Sequence, residues 1–178
     1  MQQLLTLARK TETQLDSTDV NTLIERMSNL LKETFPKNIV LTLNLARELP
    51  AIMADPNQIT QMLLNLCVNA RDAMPDGGRL ALKTAVVDEK DLGEYGDLKA
   101  EKYVSIEVID SGTGMDENVQ SKIFEPFFTT KEIGYGTGLG LAVVYGIIKS
   151  HNGFVQVKSK PMGGTTFHLY FPVVSSGG

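Results

Sequence analysis

Apolar residues recur at three- and four-residue spacing in four stretches of the chain and alternate with polar ones in most of the others. Val20, Leu23, Ile24, Met27, Leu30 and Leu31 follow the cap-forming cluster Asp16-Ser17-Thr18-Asp19, which predicts an amphipathic helix to about Thr34, stopped by Pro36. Asp55-Pro56 marks a second helix start, an N-cap acceptor followed by proline at the first helical position. Ile59, Met62, Leu63, Leu66, Ala70 and Ala73 give this central helix one apolar face as far as Met74. A third helix is expected from Leu139 to Ser150. Ile39 to Leu45 alternates as a half-buried strand does, and Leu49 to Ala54 reads as a short second strand. Leu80 to Val87 and Tyr103 to Ile109 follow as strands, with the polar connection Asp88 to Glu101 between them. Phe154 to Lys160 and Thr165 to Val173 form a closing hairpin across Pro161-Met162-Gly163-Gly164. The order of elements is not an alternating βα series. It predicts a two-layer α/β sandwich, a mixed sheet with helices packed on one face.

Residues 1–15 carry Leu4, Leu5, Ala8 and Leu15 at helical spacing with no start signal, and read as the tail of a longer helix. The remaining length suits one domain among the chain's 178 residues. A net charge of −4 offers no basic field to nucleic acid. No apolar run long enough to cross a bilayer and no signal-peptide pattern is present, so the expected compartment is the cytoplasm. One cysteine and two histidines exclude a disulfide framework and a zinc cluster. Cys67, inside the central helix, reads as a small core residue.

The central helix has an unusual polar side: Gln58, Gln61, Asn65, Asn69 and Asp72. Solvated helix faces favour Lys and Glu, because asparagine is a poor helix former. Asn65 and Asn69 stand one turn apart on the same side. Two readings are open at this point. The stripe is either hydrogen-bonded to a neighbouring loop, or it supplies neutral oxygen ligands to a hydrated Mg²⁺ and its phosphates.

Three further segments carry chemistry. Asp110-Ser111-Gly112-Thr113-Gly114 follows directly on a strand, where a carboxylate can accept from an exocyclic amine such as adenine N6 and glycines let backbone approach a flat ring. Phe124 to Lys131 places three phenylalanines around a proline, the pattern of a loop docked by aromatic anchors rather than of a regular element. Gly134-Tyr135-Gly136-Thr137-Gly138-Leu139-Gly140 runs into the third helix, so backbone N–H groups and the helix dipole there make an anion site. It is neither a GxGxxG fingerprint nor a P-loop. Gly164-Thr165-Thr166-Phe167 opens the last strand, and a threonine there is either a plain β-branched strand residue or one that reaches back to a ring held by Asp110.

In this order and spacing the segments resemble the nucleotide-binding domain of the GHKL superfamily, and in particular the catalytic domain of bacterial sensor histidine kinases. NLCVNARDAM resembles the N box, DSGTGM the first glycine box, FEPFFTTK the F box, GTGLGL the second glycine box and GGTTF the final adenine motif. The resemblance implies a Bergerat-type fold over residues 17–174, with 1–16 the tail of a dimerisation hairpin and 175–178 a disordered end. It implies ATP and Mg²⁺ as cofactors, with Asn69 and Asn65 on the metal and phosphates. Asp110 falls on adenine N6, Gly112 and Gly114 against the ring, and Thr165 beside it. Lys131, Gly136, Gly138, Leu139 and Gly140 fall in the lid over the phosphates. Asp72-Ala73 stands where many such kinases have Lys-Tyr.

Hydrolytic members of the superfamily carry a general-base glutamate four residues before the metal-binding asparagine. Here that position is Asn65, whose amide has no useful basicity, so transfer to an outside nucleophile is favoured over hydrolysis. The resemblance places that nucleophile, a histidine, on a dimerisation hairpin outside this sequence. His151, at a helix end before Asn-Gly, and His168, in a strand, both have ordinary structural explanations. The implied partners are that hairpin domain and a response-regulator receiver, with a homodimeric parent and a monomeric fragment. The competing readings are a GHKL-type hydrolase or switch, a serine-kinase anti-sigma relative, and a non-catalytic interaction domain.

Overall fold

The computed structural model describes residues 14–92, 101–123 and 140–173. Asp16–Thr18 (β1) precedes Val20–Thr34 (α1), then come Ile39–Asn44 (β2), Ile52–Ala54 (β3), Pro56–Asp72 (α2) and Gly78–Asp88 (β4). Lys102–Asp110 (β5), the short Glu117–Gln120 (α3), Gly140–Ser150 (α4), Phe154–Ser159 (β6) and Thr165–Pro172 (β7) complete the order. Both long helices start as the pattern predicts. The Asp19 carboxylate accepts from the Thr22 N–H at 3.3 Å. Asp55 Oδ1 accepts from the N–H groups of Asn57 and Gln58 at 3.0 and 3.2 Å, ahead of Pro56 in the first turn.

Five strands form one mixed sheet in the order β2-β4-β5-β7-β6, with β2 parallel to β4 and every other pair antiparallel. Side chains alternate across it. Val104, Ile106 and Val108 of β5 and Phe167, Leu169 and Phe171 of β7 join the same core as the buried faces of α1, α2 and α4. Tyr103 and Tyr170 lie on the opposite face in a smaller cluster with Leu92 and Phe154. This is the two-layer sandwich the sequence implied. Cys67 is fully buried within it, and burial pushes its thiol up to about 12, so it is inert as a nucleophile.

Four local expectations change. Asp16–Thr18 is not merely cap sequence: it pairs antiparallel with Ile52–Ala54 as a separate two-stranded sheet, with the Thr18 hydroxyl donating to the Ala54 carbonyl at 3.0 Å. The strand expected from Leu49 is only Ile52–Ala54. The central helix ends at Asp72 rather than Met74, because Ala73 takes the C-cap and Met74 turns into the core ahead of Pro75. The Gly-rich stretch after Asp110 contains α3, capped by the Asp116 carboxylate at 2.8 Å from the Val119 N–H. None of the described helices is long and apolar enough to cross a membrane.

Candidate functional site

The period of two along β5 puts Asp110 on the same inward face as Val108, at the strand's last residue. Register then fixes its neighbour, since Asp110 lies opposite Thr165, the first residue of β7. Both are buried, at 7% and 6% exposure. Asp110 Oδ1 accepts from the Gly112 N–H at 2.8 Å. Burial pushes this carboxyl above its ordinary range, while the backbone N–H groups of Gly112 and Thr165 pull the other way. The result is a desolvated acceptor held by main chain at the mouth of a strand.

The loop after Asp110 is gripped from two sides. On one side the last turn of α2 touches it: the Thr113 N–H donates to the Ala73 carbonyl at 3.0 Å, and a Cβ on Gly112 would stand 2.5 Å from that same oxygen. A small residue at 73 and none at 112 are two halves of one contact. On the other side is the turn between β6 and β7. The Met162 N–H donates to the Thr113 carbonyl at 2.6 Å, and Gly114, at φ +68°, backs onto the Lys160 carbonyl where no side chain fits. Ser159 ties the ends together. Its hydroxyl accepts from the Met115 N–H at 2.8 Å and lies 2.7 Å from the Thr165 hydroxyl. Gln120 of α3 donates from Nε2 to the Met115 and Ser159 carbonyls, each at 3.0 Å.

This docking brings the asparagine stripe to the carboxylate. Asn69 lies one turn before Ala73, its carbonyl accepting from the Ala73 N–H at 3.0 Å, and Asn65 lies one turn before that. Both side chains are half-buried, and the Asn69 amide takes no hydrogen-bond partner among the described residues. A half-exposed neutral oxygen with no partner among the described residues fits a hydrated Mg²⁺, which takes few protein ligands and keeps its waters or phosphates. Nor do three His, Cys, Asp or Glu side chains gather into a metal cage among the described residues. The Asp72 carboxylate sits 3.3 Å from the Arg71 guanidinium in a partly exposed pair.

The structure therefore sets Gly112, Gly114 and Thr165 about Asp110, with Asn69 one turn and Asn65 two turns back along α2 from the Ala73 contact. Gly140 is the first residue of α4, the helix that packs against α2. Lys131, Gly136, Gly138 and Leu139, with the phenylalanine segment, lie outside the described residues. Sequence reasoning missed Ala73, Ser159 and Gln120. Ala73 was legible as the small residue beside Asp72; a strand-end serine and a short-helix glutamine leave no local signal. His168 is a strand residue whose Nδ1 lies 3.2 Å from the Glu107 carboxylate; burial lowers its pKa, Glu107 opposes that, and Lys158 adds to it.

Comparison with known proteins points the same way. The family described as histidine kinase-, DNA gyrase B-, and HSP90-like ATPase matches residues 54–175. The chain is 43% identical over 174 residues to the sensor kinase CckA of Brucella abortus, covering 97% of this chain and 18% of that protein. Among solved structures, the catalytic domain of the histidine kinase ThkA matches with a TM-score of 0.71 at 30% identity, covering 89% of this chain and 95% of that one. Full-length ShkA in complex with AMPPNP matches with a TM-score of 0.78 at 26% identity, covering 96% of this chain and 34% of that one. The chain thus spans about a fifth of CckA and a third of ShkA.

Proposed function

Because the chain belongs to the family of histidine kinase-, DNA gyrase B-, and HSP90-like ATPases, we propose that it is the Mg-ATP-binding catalytic domain of a two-component sensor histidine kinase. In this reading it passes the γ-phosphoryl group of ATP to a histidine on a separate dimerisation hairpin. The observation that carries the reading is the buried Asp110 carboxylate, held by main-chain donors beside two glycines in a loop that docks on α2 one turn from Asn69. Asp110 accepts from adenine N6, Gly112 and Gly114 lie against the ring, and Thr165 supports the carboxylate. Asn69 and Asn65 hold a hydrated Mg²⁺, which when bound neutralises charge on the phosphate oxygens. Lys131, Gly136, Gly138, Leu139 and Gly140 cover the phosphates.

The chain's own contribution is orientation rather than acid–base chemistry. Asn65 stands where a hydrolytic relative has its general base, so the attacking group must come from outside and the γ-phosphoryl is presented to it in line. In this proposal residues 17–174 are the domain, 1–16 the lead-in from the hairpin, whose last residue Asp16 already pairs in β1, and 175–178 a tail. The partners are the hairpin domain of a homodimeric cytoplasmic kinase core and, downstream, a response-regulator receiver; this chain alone is a monomer. The relatives' designation as sensor kinases supports these roles. Calorimetric titration of ATP and ADP with Mg²⁺, beside Asp110→Asn, tests the reading. Saturable binding lost in the variant supports it, and a dimerisation hairpin added in trans should then gain acid-labile phosphohistidine. The absence of both heat and a thermal shift with either nucleotide would overturn it.

A further inference from the structure

His151 ends α4, and its ring is buried at 5% exposure. Nδ1 lies 2.7 Å from the Ile147 carbonyl oxygen and so carries the proton it donates. Nε2 keeps its lone pair and accepts from the Asp55 backbone N–H at 3.0 Å. One neutral ring in one tautomer thus joins the last turn of α4 to the N-cap of α2. Phe171 packs edge-on against it with centroids 6.1 Å apart, closing the ring in. Asp55 is itself held from the other side: Oδ1 caps α2, and Oδ2 accepts from the Gln14 N–H at 3.0 Å. The junction therefore joins three parts of the chain that are distant in sequence.

Its position matters for the other end of α4. That helix packs against α2 and has 11 residues, a length of about 16 Å. Measured along α2 from Asp55, the same length reaches the turn that carries Asn65, with Asn69 one turn further on. We propose that His151 is a positioning residue for phosphate binding: by pinning the C-terminal end of α4 to the α2 N-cap, it sets where the first turn of α4 stands beside Asn65 and Asn69. The role rests on the nucleotide reading above and adds a residue remote from the ligand. His151 touches no phosphate; it acts through the length of the helix.

Two substitutions separate the ring's two bonds. His151→Gln places an amide oxygen near the Nε2 position and keeps an acceptor for the Asp55 N–H. His151→Asn keeps a donor for the Ile147 carbonyl but is too short to reach Asp55. Calorimetric titration with Mg-ATP and with adenosine distinguishes positioning from a general packing role, because adenosine carries no phosphate. In His151→Asn the Mg-ATP dissociation constant should rise about tenfold while that for adenosine stays within about twofold; His151→Gln should hold both near the parent values. Equal losses for the two ligands, or an Asn variant that binds Mg-ATP as the parent does, would overturn the role while leaving the nucleotide site intact. A parent chain that binds neither ligand would overturn both. If His151→Asn does not fold, ¹⁵N spectra of the parent chain decide instead. The Asp55 amide and the His151 ring should shift on adding Mg-ATP and stay in place with adenosine; no shift with Mg-ATP would overturn the role.

Discussion

Replacing Gly112 by alanine adds one methyl group at the tightest approach between α2 and the loop after β5. The new Cβ would stand 2.5 Å from the Ala73 carbonyl oxygen and 2.7 Å from the Ala73 Cβ, about 0.9 and 0.7 Å short of the 3.4 Å at which ordinary contact begins. One of these neighbours is backbone and the other a Cβ, so no rotamer change relieves the clash; α2 and the loop must separate. Overpacking of this kind costs about 1–3 kcal/mol. The bond from the Thr113 N–H to Ala73, 3.0 Å long, spans the same gap, and stretching it adds about 1 kcal/mol. A total of about 2–4 kcal/mol corresponds, for a chain of this size, to a melting temperature lower by about 5–15 °C.

The same separation moves Asn69 away from Asp110, so Mg-ATP affinity should fall by about tenfold or more. Thermal melts with and without nucleotide, followed by calorimetry, measure both effects. Gly146→Ala is the control, since nothing lies within 4 Å of its Cβ position in α4. There the loss of backbone freedom in the unfolded chain should stabilise the domain by about 0.5–1 kcal/mol. A Gly112→Ala variant that melts and binds like the parent would refute the claim that this contact holds helix and carboxylate in register.

Three other substitutions probe separate parts of the account. Asp110 binds a proton more readily folded than unfolded, so it lowers stability as pH rises from the ordinary carboxylate range through its raised value, and the loss persists above that. Asp110→Asn should therefore melt higher than the parent at pH 8 without nucleotide, with the advantage vanishing near pH 4; a variant less stable at pH 8 would contradict the burial argument. Asn69→Ala should leave the melting temperature within a degree or two, since the amide has no described partner, yet bind ATP equally with Mg²⁺ or with a chelator present. An undiminished response to Mg²⁺ would remove Asn69 from the metal. Met162 is 82% exposed and sits at φ +62°. Met162→Asn relieves that strain without losing packing and should add about 0.5–1 kcal/mol in a chemical-denaturation curve; a destabilised variant would mean the methionine packs on something in solution.

What the sequence disclosed here was local or periodic. The N-cap at Asp55, the apolar face of α2 and the alternation of β5 and β7 all act within a few residues, so the positions of Asp110 and Thr165 at strand ends are legible in the sequence alone. Their pairing follows once the register of β5 on β7 is known. The contacts that fix the site are of another kind. Met115 reaches Ser159 across 44 residues, and Asp55 reaches His151 across 96. These are single side-chain-to-backbone bonds, which impose no period and no composition. A strand of three residues such as β1 is illegible for the same reason: Asp16-Ser17-Thr18 reads as a cap until Ile52–Ala54 is beside it. His151 looked like a helix terminator because it is one; its second bond, to Asp55, is a property of the fold.

The central claim is that a buried carboxylate at position 110 reads the base of a bound nucleotide, and inosine triphosphate tests it most directly. It keeps the sugar and phosphates of ATP but presents a carbonyl oxygen where adenine has its 6-amino group. Facing the Asp110 carboxylate, that oxygen leaves two buried acceptors opposed with no proton between them. Calorimetry with Mg²⁺ should give an affinity for inosine triphosphate about 100-fold or more below that for ATP, and Asp110→Asn should erase most of the difference. Equal affinities in the parent chain would mean that Asp110 does not hold the base, and the site described here would have to be abandoned as the nucleotide site.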